Sequence, residues 1–346
     1  EISMYIHQFQ GWPHLEWDQA GLATLLADAR YNQGLLLGKM ASFGFAERQQ
    51  ATLKILTQDI TKTSEIEGEI LDVDTVRSSI ARRLSVDLSD TRPVDRNVEG
   101  IVDVMLDATQ KYAAPLTVER LRGWHTALFP TGRSIRTIPT DRWRKGEHEP
   151  TPVVSGAIGF LKWFNSPQAT DPVVQSALAH FRFITIHPFA DGNGRIARAI
   201  ADMLLARGES TTQRFYSMSA QIQRDRSAYY EILESSQQGR LDVSAWIEWY
   251  LNCLKRAIIA SDEILESVLR KARFWKSHGG ESFNERQQTM LNRMVDGCDG
   301  NLTSSMWARM TQCSQDTALR DITDLIDRNI LVRTDAGGRS TNYRLR

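Results

Sequence analysis

The sequence predicts a mainly α-helical protein that ends in a small module of three helices and a β-hairpin. Three observations support this fold class. Apolar residues recur at intervals of three and four over most of the 346 residues, as on one face of an α-helix. Glycine and proline stand mostly between these periodic segments. β-Prone runs are short, and the two clearest lie at 151–156 and 330–345.

Composition argues against several classes of protein. Lys plus Arg and Asp plus Glu number 42 each, so the net charge is zero, whereas nucleic-acid coats and polybasic membrane binders need a strong positive field. The cysteines, Cys253, Cys298 and Cys313, form no close pair and favour a reducing, cytoplasmic location over a disulfide framework. The sequence contains no apolar run of roughly 18 residues, so no membrane span is expected. The first residues do not resemble a signal peptide.

Residues 1–95 are predicted to form an N-terminal helical region. Helical periodicity covers 18–44 and 46–66, and Asp72 is expected to cap a third helix. The polar stretch 86–95 indicates a loop between domains.

Residues 96–278 are predicted to form a second, helical domain. Gly208 is expected to end its central helix. The run 151–156 is expected to form a short extended hairpin. Helices are expected near 96–112, 117–128, 160–165, 172–186, up to about 206, and over 218–236 and 242–277.

Residues 279–346 carry the pattern of a winged helix-turn-helix domain. Ser314 is expected to cap the third helix. That helix has four aspartates against two arginines, so phosphates would repel it. We therefore favour protein contact or homodimerisation over DNA binding for this module. Its helices are expected at 285–295, 304–311 and 315–328, and its strands at 330–333 and 341–345.

The segment from His187 to Arg198 reads HPFADGNGRIAR and carries the clearest chemistry. Its glycines permit close approach to a ligand and lead into a helix, whose free N–H groups bind anions. Arg195 and Arg198 near that helix start oppose the helix dipole unless an anion lies between them. A polyphosphate would make their positions favourable.

Two further side chains complete this pattern. Asp191 supplies the hard oxygen ligand that Mg²⁺ prefers beside phosphates. His187 is a suitable general base near neutral pH. A base, a metal ligand, an anion cradle and two guanidinium groups are the parts that phosphoryl transfer needs. These residues alone do not decide which phosphorus is attacked.

This segment resembles the signature of Fic-domain proteins, HPFx(D/E)GNGRxxR, at every fixed position. The resemblance implies a helical core and transfer of AMP from ATP to a Ser, Thr or Tyr hydroxyl of a target protein. A second copy of the chain is one candidate target. It implies His187 as base, Asp191 as Mg²⁺ ligand, Phe189 as a buried anchor, Gly192, Asn193 and Gly194 as phosphate-binding residues, and Arg195 and Arg198 as ligands of the outer phosphates.

A second pattern, TSEIEG from Thr63 to Gly68, resembles the family's inhibitory motif, (S/T)xxxE(G/N). The resemblance implies that Glu67 pairs with Arg198 and so blocks the γ-phosphate site. An ordinary helix C-terminus is the alternative interpretation. In some relatives this glutamate assists removal of AMP, which stays open for Glu67.

Two weaker resemblances concern substrate binding. The run 151–156 resembles the family's flap, a hairpin that aligns the target, although it passes into Phe160 with fewer intervening residues than in related chains. Tyr229 and Gln237, with Tyr230, follow the signature at the spacing where the family contacts adenine and ribose. An ordinary loop is the alternative interpretation of 151–156, and core packing is the alternative for the tyrosines.

The leading hypothesis is an autoinhibited protein adenylyltransferase that depends on Mg²⁺ and ATP. Two alternatives remain. The first is an enzyme of the same fold that uses another nucleotide or removes AMP. The second is a winged-helix DNA-binding regulator whose core senses nucleotide.

Overall fold

A computed structural model describes residues 4–88, 92–130, 143–144, 151–238, 240–295, 297, 302–334 and 341–346. The described part is mainly α-helical, which confirms the predicted class. It forms two compact units, Glu1–Ser261 and Asp262–Arg346. The predicted boundaries after residues 95 and 278 stay predictions. Among the described helices, none combines the length and apolar character needed to span a bilayer.

The N-terminal region contains three helices that follow a short 3₁₀ turn. Asp72 accepts a hydrogen bond from the Thr75 N–H and caps the third, as predicted. Asp18 caps the first in the same way. The elements are the 3₁₀ turn Ile6–Gln8, α1 (Gln19–Ala41), α2 (Phe45–Ile66) and α3 (Val73–Leu84).

Eight further helices follow, and α8 lies at the centre of the first unit. Its apolar residues Ile196, Ile200 and Met203 are fully buried. It packs against α7, α4, α5 and α2, so the loop before it is held on a rigid base. The helices are α4 (Arg96–Gln110), α5 (Val118–Leu128), α6 (Thr151–Asn165), α7 (Pro172–Ile186), α8 (Asn193–Glu209), α9 (Met218–Arg224), α10 (Arg226–Gln237) and α11 (Ser244–Ser277).

The predicted hairpin at 151–156 is wrong, because this run is the first part of α6. Val153, Ala157 and Phe160 are buried at helical spacing, so core burial outweighs the β-propensity of the Thr-Pro-Val-Val run. Pro152 stands in the first turn, where its missing N–H costs no hydrogen bond. The helix continues without a break through Phe160, which accounts for the short spacing there.

Two other predicted boundaries are also wrong. The central helix does not end at Gly208, because Ser210 adopts the left-handed conformation that stops it, with φ 53°. Gly208 serves packing instead, since a Cβ there would lie 2.6 Å from the Pro172 Cβ of α7. The predicted helix over 218–236 is divided at Asp225 into α9 and α10.

The described residues of the second unit comprise the last part of α11, three further helices and an antiparallel strand pair around a small core. Ser314 caps the third helix, as predicted. Leu331 pairs with Leu345 across the strands, and Trp307 is fully buried. Residues 335–340, which connect the two strands of the predicted β-hairpin, lie outside the described residues. The elements are α12 (Glu285–Val295), α13 (Ser304–Met310), α14 (Gln315–Asp327), β1 (Leu331–Thr334) and β2 (Asn342–Leu345).

Part of the acidic character of α14 is offset within its own unit. Asp321 is only 6% exposed and accepts hydrogen bonds from Arg286 at 2.7 and 3.0 Å. Asp324 accepts from Arg328 at 3.1 Å. Two of the four aspartates are therefore paired structural groups. The negative field on this helix is weaker than its sequence suggests, and DNA binding stays an open prediction.

Gly100 is predicted to be essential for the packing of α4 on α5. A Cβ at this position would lie 1.8 Å from the Ala127 carbonyl oxygen, so the helices would have to separate. We expect Gly100→Ala to lower the free energy of unfolding by about 2 kcal/mol, measured by urea denaturation. Gly123→Ala is the control, because nothing lies within 4 Å of its Cβ. Equal stability of the two variants would contradict this packing account.

Candidate active site

The loop between α7 and α8 is shaped by two residues in the left-handed conformation. His187 ends α7 with φ 50°, and its N–H donates to the Phe183 carbonyl at 3.0 Å. Gly192 begins α8 with φ 79°. A Cβ on Gly192 would lie 2.9 Å from the Phe129 ring. Glycine is therefore required here both by the backbone angle and by the close approach of the ring.

The middle of the loop is fastened by Asn193. Its side-chain Nδ2 donates to the Phe189 carbonyl at 2.8 Å, and its Oδ1 accepts from the Phe189 N–H at 3.0 Å. Phe189 is fully buried, which confirms the predicted anchor, and it stacks on His125 with centroids 4.2 Å apart. The Asn193 amide is thus occupied within the loop. Any contact of this residue with phosphate would come from its backbone N–H.

His187 has the protonation state that a general base needs. Its ring lines the cleft. Partial burial and the Arg144 guanidinium lower its pKa below the ordinary value of 6.5, against the opposing effects of the Ile184 carbonyl, Asp191 and Glu67. Its Nδ1 lies 3.3 Å from the Ile184 carbonyl oxygen. An N–H on Nδ1 would donate a hydrogen bond to this carbonyl, which leaves the lone pair on Nε2 to accept a proton. The neutral imidazole is therefore the main form at pH 7.

Arg198 is buried and held by the Thr63–Gly68 motif. It is 2% exposed. Its Nε donates to Thr63 Oγ1 at 2.7 Å, and its Nη2 donates to the Thr63 carbonyl at 2.9 Å and to Glu67 Oε1 at 2.7 Å. Burial opposes the charge, but Glu67 and neighbouring Tyr229 outweigh it and raise the pKa of Arg198. The structure brings the predicted Glu67–Arg198 pair together.

Glu67 reaches Arg198 because of two glycines. Gly68 ends α2 in the left-handed conformation, with φ 85°, as glycine commonly does after a helix. Gly194 lies opposite, where a Cβ would be 2.1 Å from Glu67 Oε1. Both the turn and the carboxylate approach depend on residues without a side chain.

The end of α2 is also fastened to α9 and α10. Gln223 donates to Glu65 at 3.0 Å, and Arg226 donates to the Ile66 carbonyl at 3.0 Å. Farther back, Asp59 accepts from the Ser219 N–H at 3.1 Å. The α2 helix, which carries the Thr63–Gly68 motif, is therefore a packed part of the first unit.

Arg195 has a partner that the sequence did not predict. Its Nη1 donates to Glu69 Oε2 at 2.7 Å, and its guanidinium lies 5.2 Å from the Phe129 ring centre. Arg195 is 7% exposed. The only sequence signal was the position of Glu69 two residues after Glu67. Each arginine of the signature is thus paired with an acid from the chain after α2.

A cleft of about 520 Å³ opens beside these groups. Tyr229 is only 1% exposed, and its hydroxyl is bonded to His180 at 2.8 Å, so packing is its main role here. Tyr230 is 42% exposed and presents the more open ring. Gln237 donates to Thr185 at 3.0 Å. The lining comprises Tyr5, Glu67, Ile184, His187, Ala190–Gly194, Tyr229, Tyr230, Leu233, Glu234 and Gln237.

Asp191 fits the predicted role as a magnesium ligand. Its side chain is exposed to the cleft, and its Oδ1 accepts from the Gly192 N–H at 2.6 Å. The described residues contain no group of three acidic, His or Cys ligands. Mg²⁺ is often held by one or two carboxylates together with substrate phosphates, so a single oriented carboxylate is sufficient.

The family of this site is shown by sequence comparison. Residues 115–205 match the model of the Fic/DOC family. The chain contains a Fic/DOC family domain. All signature residues from His187 to Arg198 lie within it. Residues 5–86, which contain Glu67 and Glu69, match a separate model, a domain of unknown function named DUF4172.

The chain is also similar to curated proteins named protein adenylyltransferase Fic. The protein adenylyltransferase Fic of Drosophila grimshawi is 27% identical over 207 residues, which cover 58% of this chain and 35% of that protein. The protein of the same name from Drosophila melanogaster is 24% identical over 205 residues, with 58% and 35% coverage. The chain spans about a third of the length of these relatives.

Solved Fic structures share the fold at low sequence identity. A Fic family protein from Desulfovibrio desulfuricans aligns with a TM-score of 0.52 and 18% identity, covering 94% of this chain and 96% of that chain. Fic-1 of C. elegans aligns with a TM-score of 0.53 and 15% identity, covering 70% and 72%. The mainly α Fic core is therefore a shared architecture.

Proposed function

We propose that this chain is an autoinhibited protein adenylyltransferase that transfers AMP from ATP to a hydroxyl side chain of a target protein. The main support is the juxtaposition of a neutral His187 with an amide-lined helix start and two buried arginines. The Fic/DOC match and the names of its relatives support AMP as the transferred group.

The proposed reaction uses the chain's own residues in distinct roles. The target oxygen attacks the α-phosphorus, a new P–O bond forms, the bond to the bridging oxygen breaks, and pyrophosphate leaves. His187 Nε2 takes the hydroxyl proton. The N–H groups at the start of α8 bind phosphate oxygens. Arg195 and Arg198 bind the outer phosphates. Asp191 would hold Mg²⁺, whose charge offsets that of the phosphates.

Autoinhibition follows from competition for Arg198. Its donors to Thr63 and Glu67 form charge-assisted hydrogen bonds in a buried setting. The γ-phosphate of ATP would need the same guanidinium. While Glu67 occupies it, a triphosphate is displaced from the position in which its α-phosphorus faces the hydroxyl.

Identification of the donor tests the proposal. Glu67→Gly protein is incubated with Mg²⁺ and with ATP, GTP, CTP or UTP in separate reactions, and the adduct on the protein is weighed by mass spectrometry. We expect an AMP adduct from ATP. An adduct from another nucleotide would move the assignment to a different donor, and loss of a pre-formed AMP adduct would assign the reverse reaction.

The pH dependence of transfer should follow His187. Because its pKa is lowered from 6.5, the base is neutral at pH 7 and becomes protonated only at lower pH. The rate of AMP transfer by Glu67→Gly protein is expected to be level near pH 7 and to fall below pH 6.5. A pH profile of kcat/KM measures this. An acid-side midpoint at or above pH 6.5 would contradict the assignment of His187.

A further inference from the structure

The phosphate cradle is the predicted phosphate site formed by the N–H groups at the start of α8 with Arg195 and Arg198. Two carboxylates occupy its arginines. Glu67 binds Arg198 at 2.7 Å, and Glu69 binds Arg195 at 2.7 Å. Both acids come from the turn that follows α2, and both arginines come from the first turns of α8. A glutamate on each guanidinium places a negative group where each outer phosphate would bind.

The position of Glu69 is fixed by backbone contacts. After the left-handed turn at Gly68, the Glu69 N–H donates to the Ser64 carbonyl at 3.0 Å. Arg195 is held as well, by burial and by the Phe129 ring. The ion pair thus joins two restrained segments, which distinguishes it from a pair of mobile surface side chains.

The arginines retain unused donors. Among the described residues, the buried Nε of Arg195 and the buried Nη1 of Arg198 have no hydrogen-bond partner. Buried donors without partners are uncommon and often indicate a ligand site. The carboxylates therefore satisfy these guanidinium groups only in part.

We call an acid that occupies a signature arginine a latch, and Glu67 on Arg198 is the first. We propose that Glu69 on Arg195 is a second latch. With both ion pairs formed, the cleft binds a nucleoside monophosphate in preference to a triphosphate. This inference rests on the proposed nucleotide site. A single phosphate on the N–H groups at the start of α8 needs neither guanidinium, so it can bind beside Glu67, which lies next to Gly194, without breaking either ion pair. A triphosphate must displace Glu67 and Glu69 or suffer their repulsion.

The two latches differ in strength. The Glu69 side chain is 42% exposed and makes one hydrogen-bonded ion pair, with Arg195. The Glu67 side chain is 30% exposed, and its partner Arg198 is also bound by Thr63. Solvent screens the Glu69 pair more strongly. Glu69 is therefore the latch that opens first when outer phosphates arrive.

The test compares AMP with ATP by isothermal titration calorimetry. Every protein carries His187→Ala, so that no transfer occurs during the titration. The variants Glu69→Gln and Glu67→Gln and the double variant are compared with this parent. Glu65→Gln is the matched control, because Glu65 is a neighbouring acid at the end of α2 whose partners are Lys62 and Gln223 instead of the signature arginines.

The parent is expected to bind AMP more tightly than ATP. Glu69→Gln should raise the affinity for ATP relative to AMP by about fivefold, near the upper limit for a half-exposed ion pair, and the double variant should reverse the preference. The Glu65 control should keep the parent ratio. If Glu69→Gln leaves the affinity for ATP relative to AMP unchanged, Glu69 is not a latch. If that ratio rises in Glu67→Gln but not in Glu69→Gln, the second latch is wrong and the proposed function is unaffected.

Two other outcomes separate the latch from the proposed function. If no variant binds either nucleotide, both the latch and the nucleotide site are wrong. If the ratio shifts as expected but Glu67→Gly protein with His187 intact transfers no AMP, the latch is supported and the transferase assignment is wrong.

Discussion

Replacement of His187 by alanine in Glu67→Gly protein is expected to lower the rate of AMP transfer by about 10²–10⁴-fold, the usual contribution of a general base. The neutral ring, with Nδ1 near the Ile184 carbonyl, leaves Nε2 to accept the hydroxyl proton. Without it, the target hydroxyl would have to lose its proton to water. Initial rates measured with labelled ATP give the comparison.

Binding must be separated from chemistry in this experiment. We expect ATP to bind the His187→Ala variant with unchanged affinity, because the histidine meets the target hydroxyl and not the outer phosphates. His14→Ala is a suitable control, since that histidine is exposed and does not line the cleft. Retention of full activity in His187→Ala would exclude this histidine as the base.

Removal of the Glu67 carboxylate is expected to raise the rate of AMP transfer by about 30-fold. A hydrogen bond to a charged group is worth roughly 2 kcal/mol, and that difference corresponds to a factor of about 30 in rate. Glu67→Gly frees Arg198 for the γ-phosphate. Steady-state rates of the wild type and the variant, each at saturating ATP, measure the effect.

The same substitution should have a cost in the absence of nucleotide. Arg198 is 2% exposed, and loss of Glu67 leaves a buried charge with only the Thr63 contacts. We expect a lower Tm for Glu67→Gly without ATP and a larger rise in Tm on adding ATP. Glu65→Gln again serves as the control. A rate no higher than that of the wild type would contradict the inhibitory role.

Much of the site could be predicted from local sequence. The glycines of the signature specify a loop that opens a helix, and the arginines in the next turn indicate an anion. The Thr63–Gly68 motif also led to the correct pair, since Glu67 contacts Arg198. The loop and the helix start could be predicted because they depend on residues close together in the chain. The Glu67–Arg198 pair joins residues 131 positions apart and was predicted only from the resemblance of Thr63–Gly68 to the Fic inhibitory motif.

The features that were missed depend on contacts between distant residues. The Glu69–Arg195 pair joins residues 126 positions apart, and no local pattern indicates it. Tyr5 lines the cleft because the 3₁₀ turn that follows it packs against α10. In α6, burial of Val153 and Phe160 outweighs a strand-prone composition. Tertiary packing decided each of these cases.

The central claim is that ATP is cleaved between its α- and β-phosphates at this site. The most direct measurement incubates Glu67→Gly protein with Mg²⁺ and ATP labelled at either the α- or the γ-phosphate, and follows the label on protein and in pyrophosphate. The account predicts that α-label stays on protein and that γ-label leaves with pyrophosphate. Stable transfer of the γ-label to protein would contradict it.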